Sequence, residues 1–336
     1  MKAPKIALVI PCFNEEAVIV SSVHTLSQIL STLISEFRIS PDSFLLAVND
    51  GSTDRTLDLL KICKEQFPLY TINLSKNAGH QNALLSGLHY LINKVDCCIS
   101  LDADLQDDPA VITKMIAEYK GGSEIVYGVR SDRSSDTYWK RTTAKLFYQL
   151  SRGMGVPLVS NHADFRLMSN RALVELSKYR ESNLFLRGII PLLGFSSSTV
   201  YYKRNKRQGG ISKYPFFKML KFAINGIASF SSYPLRLITT AGILISIACL
   251  GFSAWVVVVM VQGKNIPGWA SITLPLYFLG GIQLLAIGIL GEYISRIYTE
   301  TKRRPHYHVD EVIEPVDWKE SPFEMTRTNL SFEKQY

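Results

Sequence analysis

Asp102 and Asp104 stand two residues apart in the stretch Asp102-Ala103-Asp104-Leu105-Gln106-Asp107-Asp108. On an extended segment this spacing turns both carboxylates to one side, where they offer hard oxygen ligands to a divalent cation. A pair of this kind is weak evidence by itself, since acidic residues beside strands commonly form turns or helix caps. Asp54 before Arg55 and Asp108 before Pro109 suit that second role. What raises the value of the pair is company. Pro11-Cys12-Phe13-Asn14-Glu15-Glu16 and Asn49-Asp50-Gly51-Ser52-Thr53-Asp54 each follow a short apolar run, as the acidic segment does. His24, His80, His89, His162, His306 and His308 show no metal-ligand spacing and no evident partner, and are read as structural or surface residues.

The elements that must position these groups alternate along the chain. Residues 6–10 (IALVI), with Pro11 as the stop, 44–48 (FLLAV), 70–74 and 97–101 read as buried strands. Helical spacing fills 15–37, 53–67 and 79–91 between them. Such alternation predicts a doubly wound α/β sheet with ligands beyond the carboxyl ends of its strands. Neither GxGxxG nor GxxxxGK[ST] is present, so the common dinucleotide and P-loop readings lack their phosphate loops.

Composition narrows the setting. The 336 residues carry a net charge of +8 and are 47% hydrophobic, which excludes a disordered chain and favours an anionic partner. Five cysteines without a CxxC pair indicate neither a disulfide framework nor a zinc site. Leu237 to Gly263 and Asn265 to Glu292 hold no charged residue before Glu292, and about 20 apolar residues suffice to cross a bilayer. Lys218, Lys221 and Arg236 precede the first stretch and Arg296, Lys302, Arg303 and Arg304 follow the second, so both flanks are predicted to be cytoplasmic. Segment 216–232 has the spacing of a helix that lies in the headgroup plane or packs against the core.

The chain resembles the family 2 glycosyltransferases of the polyprenyl-phosphate sugar synthase type, which include bactoprenol glucosyltransferases and dolichyl-phosphate mannose synthases. The resemblance rests on PCFNEE at 11–16, NDGSTD at 49–54, NAGHQNALLSG at 77–87, LDADLQDDP at 101–109, DFRLMS at 164–169 and RQGGISKY at 207–214. It implies a GT-A (Rossmann-like) cytosolic domain over 1–215, an amphipathic interfacial helix over 216–235, transmembrane helices at 236–263 and 269–292, and a cytosolic tail over 293–336. It further implies that Pro11, Asn14 and Glu15 line the nucleotide pocket and that Asp50 meets the base or ribose. Asp102, Asp104 and Gln106 would hold Mg2+ or Mn2+ against the diphosphate of the donor.

The implied acceptor is a polyprenyl phosphate, mostly dianionic at pH 7, so the site needs cations more than a strong base. Arg130, Arg141, Arg166, Arg187, Arg204, Arg207 and Lys213 are available. Arg130 and Arg141, which flank a polar loop, and Lys213 are the favoured phosphate contacts. Asp164 matches the family position near the acceptor, as a base or as the group that positions Arg166. The implied reaction is inverting transfer of a hexose to undecaprenyl phosphate. Glucose from UDP-glucose is the leading donor, and GDP-mannose or another UDP-sugar the alternative. The implied setting is the bacterial plasma membrane, with both termini cytoplasmic, no nucleic-acid partner, and self-association as far as a tetramer. A processive polysaccharide synthase is disfavoured because no Trp follows an Arg, and a non-enzymatic membrane scaffold because the acidic set is intact.

Overall fold

The computed structural model describes residues 3–131, 162–179, 181, 186–202, individual positions within 238–262, and 269–315. Arg141 and Lys213, the 207–214 motif and the 216–235 segment lie outside the described residues.

Four strands in a row are buried on both faces: β1 (Ile6–Cys12), β2 (Phe44–Asn49), β3 (Leu69–Leu74) and β4 (Cys97–Ser100). Alternate residues of β1 serve the two sides of the sheet. Ile6, Leu8 and Ile10 join a core with α1 (Ile19–Ser35), α2 (Thr56–Cys63) and α4 (Ile112–Lys120). Ala7 and Val9 join a second core with α3 (His80–Tyr90), α5 (Asn170–Leu176) and α6 (Leu186–Leu192). Double-sided burial explains why these strands read as unbroken apolar runs.

Among the described residues the sheet has eight strands. It is completed by β5 (Ile125–Arg130), β6 (His162–Ser169), β7 (Ser197–Tyr202) and β8 (Val309–Ile313), in the order β7-β5-β6-β4-β1-β2-β3-β8. The doubly wound expectation holds for β3-β2-β1-β4, which are mutually parallel, and needs correction beyond them. β6 runs antiparallel to both β4 and β5, and β8 antiparallel to β3, so the sheet is mixed. Strand order reverses beside β1, where the chain has wound outward to β3 and then returns to lay β4 on the other side of β1. The crevice beyond the carboxyl ends of β1 and β4 is therefore the place where this topology binds ligands.

Pro11 does not stop β1, which continues to Cys12 opposite Asn49. The Leu101 amide donates to Val9 O, so Val9, and two residues later Pro11, face the β4 side. Pairing with β4 has ended there at Val9–Ser100, and the missing N–H of proline leaves no ladder bond unmade.

Gly51, in the turn after β2, has φ +63, and a Cβ there would lie 2.6 Å from the Asn77 amide nitrogen and 2.6 Å from the Lys76 carbonyl carbon. Gly51→Ala is expected to cost about 2–4 kcal/mol, the left-handed strain plus a backbone clash. Gly194→Ala is the control. Its φ is +69 with nothing within 4 Å, so it is expected to lose no more than about 1–2 kcal/mol. Thermal melts of the two variants check the difference, and equal losses would remove the clash from the explanation.

The second apolar stretch lies in α7 (Trp269–Thr301), which runs past the expected boundary at 292. Its 33 residues exceed the length a crossing needs. Among the described residues, however, no helix is both long and apolar enough to cross a membrane. After α7 the chain returns to the sheet as β8, where Asp310 accepts from Asn73 Nδ2 at 3.2 Å and Glu311 meets Lys61 at 3.1 Å.

Candidate active site

The loops after β1 and β2 hold each other. Asn14, with φ 55, donates its amide to Ser52 Oγ at 3.0 Å and accepts from the Thr53 amide at 2.8 Å. The left-handed backbone suits asparagine. The Glu15 amide donates to Thr56 Oγ1 at 2.9 Å, while the Asp54 carboxylate accepts from the Glu16 and Thr56 amides. Asp50 accepts from the Ala78 and Gly79 amides at 2.6 and 3.0 Å. Of the nucleotide-pocket residues, then, Asn14 and Glu15 belong to a loop pair built at the crevice, with Pro11 inside β1. Asp50, expected at the base or ribose, spends a bond from each oxygen on the turn that opens α3. Asp108 caps the 3-10 turn Pro109–Val111 by accepting from the Ala110 amide.

The acidic segment leaves β4 directly beside these loops. Asp104 accepts from the Gln106 amide at 3.3 Å across Leu105, whose φ of 45 is a non-glycine left-handed conformation. Strain of this kind persists where the surroundings demand it and clusters at functional sites. Burial raises the Asp102 carboxyl above its usual value; His80 pulls it down, and Asp164, Asp107 and Asp104 push it further up. Gln106 is buried and its Nε2 has no hydrogen-bond partner among the described residues.

These observations fit a divalent cation. Crowded carboxylates are what such an ion would relieve, and the DxD spacing supplies hard oxygen donors. Among the described residues no three His, Cys, Asp or Glu side chains form a ready cage. A Mg2+-like ion bound here through one or two carboxylates would complete its shell with substrate phosphate and water.

Asp164, at the start of β6, lies beside Asp102 and anchors a cationic group. Its carboxylate takes the Arg166 guanidinium from one side and a fork from Arg187 on the other, Nε to Oδ1 at 3.1 Å and Nη2 to Oδ2 at 2.9 Å. His80 Nε2 stands 3.4 Å from Asp164 and 3.8 Å from Asp102. Burial alone would raise the Asp164 carboxyl, but His80, Arg166 and Arg187 outweigh it and hold the group well below the usual carboxylate range. Asp164 is thus an ionised anchor. The expectation that it positions Arg166 agrees with this geometry, whereas a carboxylate so stabilised is a poor proton acceptor.

Arg130, one of the favoured phosphate contacts, is forked onto the buried Asp107 at 3.0–3.3 Å. The reading of His80 as a histidine without an evident partner is corrected: it joins the two acidic positions. A positional signal was available, because the loop after the third strand opens at the same sheet edge as the other three.

Residues 7–177 match the family model described as Glycosyl transferase family 2. The chain belongs to that family. An uncharacterized glycosyltransferase, YkoT, of Bacillus subtilis is 49% identical to this family 2 glycosyltransferase over 310 residues, 91% of each chain. The bactoprenol glucosyl transferase of Shigella phage SfX is 38% identical over 306 residues, 90% of this chain and 98% of the phage protein. A prophage bactoprenol glucosyl transferase homolog of Escherichia coli is 36% identical over 92% of this chain and 99% of its own. Membership makes the chain a glycosyltransferase on a GT-A-like mixed α/β sheet.

Proposed function

We propose that this glycosyltransferase moves one hexose, glucose from UDP-glucose being the leading donor, onto a polyprenyl phosphate at the cytosolic face of a membrane. The observation that carries the reading is the 38% identity to a bactoprenol glucosyl transferase over nearly the whole length of both chains. The arrangement of the crevice supports it. Asp102, Asp104 and Gln106 would hold Mg2+ or Mn2+, whose positive charge offsets what builds up on a departing nucleoside diphosphate. Asn14, Glu15 and Asp50 shape the loops on the nucleotide side. A phosphate oxygen of the acceptor attacks the anomeric carbon, the new C–O bond forming as the bond to the diphosphate breaks. The diphosphate keeps the bonding electrons and the configuration inverts. The phosphomonoester dianion becomes a diester, and no proton need be removed from it.

The charge-free stretches around 237–263 and 265–291 support a membrane hairpin behind the catalytic sheet, which would bring the crevice to a lipid-borne phosphate. Cytoplasmic termini and self-association, up to a tetramer, belong to the same reading.

Purified full-length protein in detergent, given radiolabelled UDP-glucose and undecaprenyl phosphate with and without Mn2+ or Mg2+, is expected to place label in the lipid fraction only when metal is present. GDP-mannose is the parallel donor. Label from GDP-mannose alone would reassign the sugar, and label independent of metal would remove the ion from the site.

A further inference from the structure

We propose that Asp310, on the strand that follows α7, is a positioning residue for the donor-side loops and acts on them through the amides of Asn73 and Asn49. The inference rests on reading the loops after β1 and β2 as the nucleotide side, and names what sets the second of them from behind.

Asn49 and Asn73 lie opposite each other on β2 and β3 and are 1% and 8% exposed. Two primary amides buried in an otherwise apolar sheet are tolerable only when they are bonded. Asn49 Nδ2 donates to Asn73 Oδ1 at 2.8 Å, and Asn73 Nδ2 donates to Asp310 Oδ2 at 3.2 Å. A carboxylate only accepts. Asp310 therefore sets which way the Asn73 amide lies, and Asn73 sets Asn49. That orientation leaves Asn49 Oδ1 to accept from the Ser52 amide in a longer bond of 3.4 Å. Ser52 Oγ in turn accepts from the Asn14 amide at 3.0 Å. A chain with one direction thus runs from the outer strand through the sheet to both loops of the crevice.

β8 is distorted to make this contact. Glu311 pairs with Asn73 and Val309 with Leu74, so Asp310 is the extra residue of a bulge. On a regular strand Asp310 and Glu311 would turn to opposite faces. Here both reach the same one, Glu311 meeting Lys61 of α2 at 3.1 Å and Asp310 meeting Asn73. Order returns at once beyond the bulge, where the Ser75 amide donates to His308 O at 3.0 Å. The irregularity is confined to the residue whose side chain reaches into the sheet, and re-aiming a side chain is what bulges near functional sites do. Among the described residues β8 is also the strand contributed from beyond the apolar stretches. The donor side is therefore fully ordered only when the chain that follows α7 has docked on β3.

Full-length protein in detergent tests the assignment, with UDP-glucose as donor, or GDP-mannose if that is the sugar transferred, and farnesyl phosphate as a soluble acceptor. Asp310→Ala is expected to raise the donor KM about fivefold while the acceptor KM stays within about twofold. Asp310→Lys, which offers donors where the chain needs an acceptor, should raise it further. Asp310→Asn keeps an acceptor oxygen and should recover most of the loss. Glu311→Ala is the control, because it removes the neighbouring bridge between half-exposed groups and should leave both KM values unchanged. Asp310 is exposed on an edge strand, so all four variants should fold, as melts would verify. Equal rises in donor KM for Asp310→Ala and Glu311→Ala would mean a generally loosened edge and would overturn the assignment. So would an unchanged donor KM in Asp310→Lys, or an effect confined to the acceptor. Calorimetric titration with UDP and GDP separates this from the broader reading. Wild type that binds neither nucleotide would bring down the donor-side reading and the role of Asp310 together. Wild type that binds one of them, with Asp310→Ala and Asp310→Lys binding it equally well, would bring down the role of Asp310 alone.

Discussion

Asp104→Asn is expected to lower sugar transfer about a thousandfold, which corresponds to ~4 kcal/mol of lost transition-state stabilisation. The exchange keeps the shape of the side chain and its ability to accept from the Gln106 amide. What it removes is a negative charge, where the proposed ion needs a hard anionic ligand opposite a diphosphate. Because no three acidic or imidazole side chains among the described residues form a cage, the remaining ligands are few and the loss of one is poorly compensated. The fold should be untouched. Removing a like charge from beside Asp102, which Asp104 pushes up, relieves repulsion if it does anything to stability. The variant should melt at or slightly above the wild-type temperature while its label in the lipid fraction vanishes. Excess Mn2+ is expected to restore a small part of the rate if the defect is weaker metal binding. Unchanged sugar-lipid formation by a folded Asp104→Asn would instead show that Asp104 carries no chemistry and would remove it from the proposed metal set.

The parts of this site that could be read from sequence are the parts fixed by local chain direction. β1 to β4 and α1 to α3 appear where apolar runs and helical spacing put them, because each strand is buried on both faces and each helix buries one. The ends differ for physical reasons. α1 starts at Ile19 and not at Glu15, since Val18, with φ -125, leaves the helical range, and the turn before it is pinned to the β2 loop through the Glu15 amide on Thr56. That first turn is given over to the crevice. The strands that pair out of sequence were not legible. β6 slips antiparallel between β4 and β5, and β8 reaches β3 through contacts such as Asn73–Asp310, 237 positions apart. No local pattern encodes such a partner. The acidic pair was legible because both members lie on one segment. The pairing of Asp164 with Arg166 was legible for the same reason, two residues apart on one segment, but the meeting of Asp164 with Arg187 and His80 was not, because they come from β6, α6 and the start of α3 and meet only when the sheet is assembled.

Asp164→Asn is expected to destabilise the folded domain by about 3–5 kcal/mol, the usual consequence of removing one partner from a buried ion pair. The cause is Arg166. Its guanidinium is 1% exposed and leaves Nε and Nη1 without hydrogen-bond partners among the described residues, so the Asp164 carboxylate is what makes burying that charge tolerable. Arg187, at 39% exposed, can turn to solvent and suffers less. This assigns the damage to one residue and makes it reversible: adding Arg166→Met to Asp164→Asn, which removes the stranded charge and keeps much of the volume, should regain most of the lost stability. Activity should not return with it if Asp164 also serves the crevice, where it meets His80 beside Asp102. Recovery of both together would mean that Asp164 acts only as a structural partner of Arg166. The pH dependence has a definite sign. Asp164 is held well below the usual carboxylate range, so its contribution is complete above the unfolded value of about 3.9 and is lost as pH falls toward the lower folded value. Wild type should therefore lose stability relative to Asp164→Asn below about pH 4 and not between pH 5 and 8. Melting curves of the two proteins across that range would show it, and a gap that instead narrowed near neutrality would point to His80 as the group that governs the cluster.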